Sequence, residues 1–149
     1  LSKLKKLKNI TLPYENILKN TFGVIIISFL FVFFVETILG YTVLDIEEQV
    51  NYSLYELISI AMINPIIEEL FFRKFLANEL RKNYNIAKGV IFSSILFALA
   101  HLPHMHIMIV AFFGGIIAAI IFFKTKNILY PILFHILWNT LTIISILKI

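Results

Sequence analysis

Residues 53–80 read SLYELISIAMINPIIEELFFRKFLANEL, an apolar run that carries Pro65, Glu68, Glu69 and Arg73 in its middle. A spanning helix needs about 20 mostly apolar residues, so this run is long enough to cross a bilayer with tilt. Ionisable side chains at that depth are costly in lipid and turn toward a bundle interior or a wet cavity. The run therefore requires neighbouring helices. Four other apolar stretches supply them: Phe22–Leu44, with Glu36 as its one charge, then Val90–Leu102, Met105–Phe123 and Tyr130–Ile149. Val90–Leu102 is short for a complete crossing. The expected fold is all-α, a polytopic transmembrane bundle of about five helices.

Composition agrees. Of the 149 residues, 60% are apolar and 15% charged, a balance that a water-facing surface of this size could not supply. The absence of cysteine excludes disulfides, thiolate nucleophiles and thiolate metal ligands. The net charge of +4 sits in short clusters between apolar runs rather than along one polar face, which speaks for membrane topology and against nucleic acid. No internal repeat, Gly/Ser linker or cleavable signal peptide is evident. The chain divides into a basic amphipathic segment, residues 1–20, and one transmembrane domain, residues 21–149, with its core at 54–144. It opens on Leu1, as a trimmed or partial copy of a longer protein would.

Lys3, Lys5, Lys6, Lys8 and Lys19 precede the first run, Arg81, Lys82 and Lys88 follow the second, and Lys124 and Lys126 follow the fourth. The alternate loops hold Asp45, Glu47 and Glu48, or His104 and His106. The positive-inside rule then places the amino terminus in the cytoplasm and the carboxy terminus outside. Leu1, Leu4, Leu7 and Ile10 recur among lysines, a pattern suited to lying along an anionic leaflet.

Glu69 and Arg73 are four residues apart and can pair on one helix face, while Glu68 is turned about 100° away. The pair alone reads equally well as a structural tie between helices. One guanidinium neutralises only one carboxylate, however, which leaves Glu68 as the candidate for proton chemistry. Pro65 removes a helix hydrogen bond three residues before it. Phe97 and His101 lie one turn apart, and a histidine at a helix end is ordinarily interfacial. His135 and Asn139, also four apart, face one way and require polar partners or a cavity.

Depth joins these groups. From Glu68 to Arg81, from Lys88 to His101 and from Lys126 to Asn139 the separation is 13 residues each time (81 − 68, 101 − 88, 139 − 126), and from Lys126 to His135 it is 9. At 1.5 Å per residue all four groups lie roughly 14 to 20 Å from their basic anchors, near the middle of the bilayer.

With these motifs in view the chain resembles the CPBP family, the Abi-type intramembrane peptidases that include the type II CAAX prenyl endopeptidases and bacteriocin-processing or self-immunity proteins. The family pattern EExxxR stands as Glu68, Glu69 and Arg73, FxxxH as Phe97 and His101, and HxxxN as His135 and Asn139. The resemblance covers about Leu54 to Ile144. It implies that Glu68 is a general base activating water with help from His101, that His135 and Asn139 donate to the tetrahedral oxyanion, and that Glu69 and Arg73 orient the site. It also implies a divalent ion such as zinc on Glu68, His101 and His135. No HExxH is present and those ligands would come from three helices, so metal-dependent and metal-free readings both stand.

The expected partners are membrane lipid and a hydrophobic or lipidated peptide, in a bacterial cell membrane given the Ile, Lys, Asn and Phe bias. Two other classes use the same residues. One is a non-catalytic immunity or scaffold protein. The other is a proton-coupled carrier, which fits less well because no paired halves with interrupted helices are apparent.

Overall fold

The computed structural model describes residues 13–38 and 53–147, and among them five helices, with no strand. The amphipathic reading of residues 1–12, the end of the first span at 39–44 and the acidic loop holding Asp45, Glu47 and Glu48 lie outside the described residues.

Helix α1, Pro13–Ile38, begins earlier than the apolar run that announced it. Proline in the first turn has the dihedral angle a helix needs and lacks only a donor that would be orphaned there anyway, and Glu15 complements the helix dipole. At 26 residues α1 is about 39 Å long, more than the roughly 30 Å hydrocarbon core. Residues 13–20 are helical and continuous with the first apolar run. Helix α4, Met105–Thr125, is also long and apolar enough to cross, and it ends on Lys126 in the left-handed conformation. Helix α5 is Leu129–Leu147. Helix α3, Ile86–Leu99, has 14 residues, about 21 Å, and falls short of a full crossing as its apolar run suggested. Asn85 caps it by accepting from the Lys88 amide at 2.9 Å.

Helix α2, residues 54–83, is irregular. Ser53 and Glu56 form a reciprocal capping box at its start. Two stretches are then wound as π-helix, Ser59–Ile63 and Leu70–Ala77, and α-helical Asn64–Glu69 lies between them. Pi turns cluster at functional positions because each inserts an extra residue and changes which side chains share a face. Glu68 and Glu69 close the α-helical piece, immediately before the second π stretch.

Two buried clusters hold the bundle together. Val24, Phe31 and Val35 of α1 pack against Ala118 and Ile121 of α4 and Tyr130, Phe134 and Trp138 of α5. Phe31 meets the Trp138 ring edge-on at 5.0 Å. The second cluster joins Phe72 of α2, Phe97 of α3 and Ala111 of α4. In lipid such contacts rest on close packing more than on the hydrophobic effect, and small residues permit it. A Cβ at Gly114 would lie 2.6 Å from the Trp138 ring, and one at Gly89 would lie 2.8 Å from the Ala77 carbonyl of α2. The outer face of α1 exposes Leu18, Phe22, Phe29, Leu30 and Phe33, an apolar surface suited to lipid.

Candidate active site

Glu69 and Arg73 are both fully buried on α2, with Arg73 Nε 3.1 Å from Glu69 Oε2. Their contact is one of charge, since neither of these atoms is aligned for a hydrogen bond. The other side of the guanidinium lies over the Phe97 ring, 4.3 Å from its centroid. Cation–π attraction is strongest when the cation is stripped of water, as it is here. Space for the guanidinium is left by Gly115 of α4, where a Cβ would come within 3.2 Å of Arg73 Nη2 and of Ser94.

The second carboxylate behaves differently. Glu68 is about one-third exposed, and its Oε2 lies 3.7 Å from His135 Nε2. Across the same imidazole, His135 Nδ1 lies 3.0 Å from Glu69 Oε1. With Oε2 of the same carboxyl against the Arg73 guanidinium, Oε1 is an acceptor for an Nδ1–H donor from His135. The ring is fixed further by Trp138, stacked on it at 5.2 Å and 20°, and by Phe97 edge-on at 5.7 Å.

His101 sits just past α3 in a tight turn rather than on the helix, its backbone N–H donating to the Ala98 carbonyl. The side chain folds back. Nδ1 lies 2.9 Å from the Phe97 carbonyl, which only accepts, so Nδ1–H donates to it and Nε2 is the nitrogen turned away from that bond. The imidazole packs edge-on against Phe97 at 4.9 Å and lies within Coulombic reach of Glu68. Asn139 is directed at α2, where its Nδ2 donates to the Ile60 carbonyl at 2.8 Å.

The bundle thus brings Arg73, His101 and His135 around the Phe97 ring, with Glu69 and Glu68 on opposite sides of the His135 imidazole and Asn139 one turn along α5 from it. Sequence reasoning missed three contributors: Trp138, Gly115 and the Ile60 carbonyl. Trp138 is the sole tryptophan and stands three residues from His135, and Gly114 with Gly115 is the only glycine pair, so both were visible as oddities. Nothing in the sequence marks Ile60.

The divalent ion implied for Glu68, His101 and His135 finds no ready ligand set, because no group of three His, Cys, Asp or Glu side chains among the described residues is disposed to hold a metal. Two donors, Glu68 Oε2 and His135 Nε2, point together; a tetrahedral catalytic site takes three.

Comparison with known proteins gives the family of the chain. The family model described as "Type II CAAX prenyl endopeptidase Rce1-like" matches residues 50–141. The chain is similar to the putative membrane peptidase YdiL of Bacillus subtilis, 30% identical across 59% of this chain and 36% of that protein. It is also similar to the membrane-embedded CAAX protease MroQ of Staphylococcus aureus, 36% identical across 57% of this chain and again 36% of the relative. The chain therefore spans little more than a third of the length of these relatives. No solved structure matches it significantly.

Proposed function

Because the chain belongs to the Rce1-like family of type II CAAX prenyl endopeptidases, we propose that it hydrolyses a peptide bond in a membrane-held or hydrophobic peptide, with Glu68 as the base. The observation that carries this reading is the imidazole of His135 held between two carboxylates, Nδ1 on Glu69 and Nε2 toward Glu68.

Charge balance supports it. Glu68 and Glu69 bring two negative charges and Arg73 one positive, so a single proton shared between Glu68 Oε2 and His135 Nε2 makes the cluster neutral. A low-dielectric interior favours neutrality, and such a proton belongs to the pair rather than to either residue. Placed on His135 it gives an imidazolium, with Nδ1–H on Glu69 and Nε2–H free to donate, and it leaves Glu68 as a carboxylate able to accept from water.

In the proposed reaction, a water beside Glu68 and the Nε2 lone pair of His101 loses a proton to the Glu68 carboxylate as its oxygen bonds to the scissile carbonyl carbon. The carbonyl oxygen becomes an oxyanion that accepts from His135 Nε2–H and from the Asn139 amide. Glu68 then returns the proton to the amide nitrogen, the C–N bond breaks, and a carboxylic acid and an amine leave. No serine or cysteine is required, in keeping with a chain that lacks cysteine.

The test is cleavage of a quenched membrane peptide by the purified protein and by its Glu68→Gln variant, each with and without chelator. Cleavage by the wild type alone, unaffected by chelator, is expected. Equal cleavage by both proteins removes Glu68 from the reaction. Binding of the peptide without cleavage by either marks a scaffold, and Glu68-dependent proton flux into sealed vesicles marks a carrier.

A further inference from the structure

The Asn139–Ile60 hydrogen bond meets α2 at a break in its main-chain ladder, beside Pro65. In the π turn Ser59–Ile63 the backbone N–H of Asn64 donates to the Ser59 carbonyl, five residues back. Continued by one residue, the same pattern would direct the N–H of residue 65 at the Ile60 carbonyl. Proline has no N–H, and the alternative α-helical donor, Asn64, is already committed. The Ile60 carbonyl is thereby deprived of both regular main-chain partners. Left bare in a low-dielectric interior it would be costly, and helices that break their ladder in a membrane recruit side chains of neighbours to repair it. Here the repair comes from α5, as the 2.8 Å hydrogen bond from Asn139 Nδ2.

That bond also settles which way the Asn139 amide faces. A carboxamide has a donor end and an acceptor end of nearly equal size, and a carbonyl partner accepts only from the donor end. The Ile60 carbonyl uses one N–H, which turns the NH2 group toward α2, the helix that carries Glu68, with its second N–H still available. A flipped amide would present Oδ1 there instead and repel a developing oxyanion.

We propose that Pro65 is a positioning residue of the site: by stripping the Ile60 carbonyl of main-chain donors it recruits Asn139 Nδ2 and keeps the donor end of that amide toward the Glu68 helix. The inference rests on the peptidase reading for its catalytic meaning, whereas its structural core stands apart from it. Pro65→Ala restores an N–H at position 65. If the π turn persists that N–H takes the Ile60 carbonyl, and if the turn relaxes to α-helix the Asn64 N–H does. Either way Asn139 is displaced.

The experiment uses the full chain in bicelles, 15N-labelled on asparagine, as wild type, Pro65→Ala, Asn139→Ala and the double variant. The side-chain NH2 resonances of Asn139 are identified by their loss in Asn139→Ala. They are expected to move in Pro65→Ala while thermal unfolding remains cooperative, since alanine is the better helix former. On a cleavable quenched peptide, Pro65→Ala lowers kcat by roughly tenfold to a hundredfold, with KM held within about twofold. The double variant cleaves no more slowly than Asn139→Ala alone. Pro65→Val restores the same N–H with more bulk and gives the same result. Unmoved Asn139 resonances, or losses in the double variant that multiply as for independent sites, overturn the proposal. A wild type that cuts no peptide overturns the peptidase reading instead, and the resonances still decide whether Pro65 governs Asn139.

Discussion

His135 lies between adjacent glutamates of one helix, 3.0 Å from Glu69 through Nδ1 and 3.7 Å from Glu68 through Nε2, yet the two acids have different surroundings. Glu69 is fully buried against Arg73, and Glu68 is about one-third exposed. Neighbours in sequence therefore differ in access, one buried against the imidazole and the guanidinium and the other partly open.

That difference predicts opposite phenotypes. Glu69→Gln leaves a buried guanidinium without its counter-charge and costs about 3 to 5 kcal/mol of stability, the penalty for breaking a buried pair. Glu68→Gln leaves the fold intact and lowers kcat by roughly a hundredfold or more. Thermal unfolding in detergent, measured beside peptide cleavage, separates them. A Glu68→Gln variant as unstable as Glu69→Gln would contradict the assignment.

Arg73→Lys tests the cover that Phe97 provides. An ammonium keeps the charge but loses the flat guanidinium seated 4.3 Å over the ring, together with its fixed fork of donors. A loss of about 1 to 2 kcal/mol is expected. In a double-mutant cycle with Phe97→Leu the two losses are less than additive; strict additivity would show that the ring and the cation do not interact.

Three glycine-to-alanine changes should rank by the space each Cβ meets. Gly23 has nothing within 4 Å, so alanine there is neutral or stabilising by up to about 1 kcal/mol. At Gly115 the new methyl meets Arg73 and Ser94 side chains at 3.2 Å and disturbs the guanidinium. At Gly114 it meets the Trp138 ring at 2.6 Å, and the ring cannot yield without breaking its stack on His135. The expected order of melting temperature is Gly23→Ala, then Gly115→Ala, then Gly114→Ala, the last two also losing peptide cleavage.

Topology is open to direct measurement. Single cysteines introduced into this cysteine-free chain at Asn83 and Asn127 should react with an impermeant maleimide only after the cytoplasmic face is opened, and one at His104 should react from outside. The reverse pattern would invert the orientation.

The family motifs, the five helices and the short third one were all legible because each depends on a local property of the chain. Apolar length reports a span, a four-residue spacing reports a shared helix face, and a buried charge reports an interior. The start of α1 at Pro13 was missed because apolarity marks where a helix enters lipid, whereas capping chemistry marks where it begins. The π turns of α2 were missed as well, since Pro65 announces a broken ladder without saying how the neighbouring residues rewind around it.

By itself, then, the amino-acid order determined which residues are too polar for lipid and how far each stands in sequence from the basic residues at its helix end. Only the tertiary structure decided their partners: that His135 joins both glutamates, that Phe97 covers Arg73 and meets both histidines, and that Asn139 reaches Ile60. The physical reason is that a charge or amide stripped of water must find its complement on another helix. Which complement it meets depends on how the helices rotate and pack, governed by small residues such as Gly114 and Gly115 that carry no polar signal of their own.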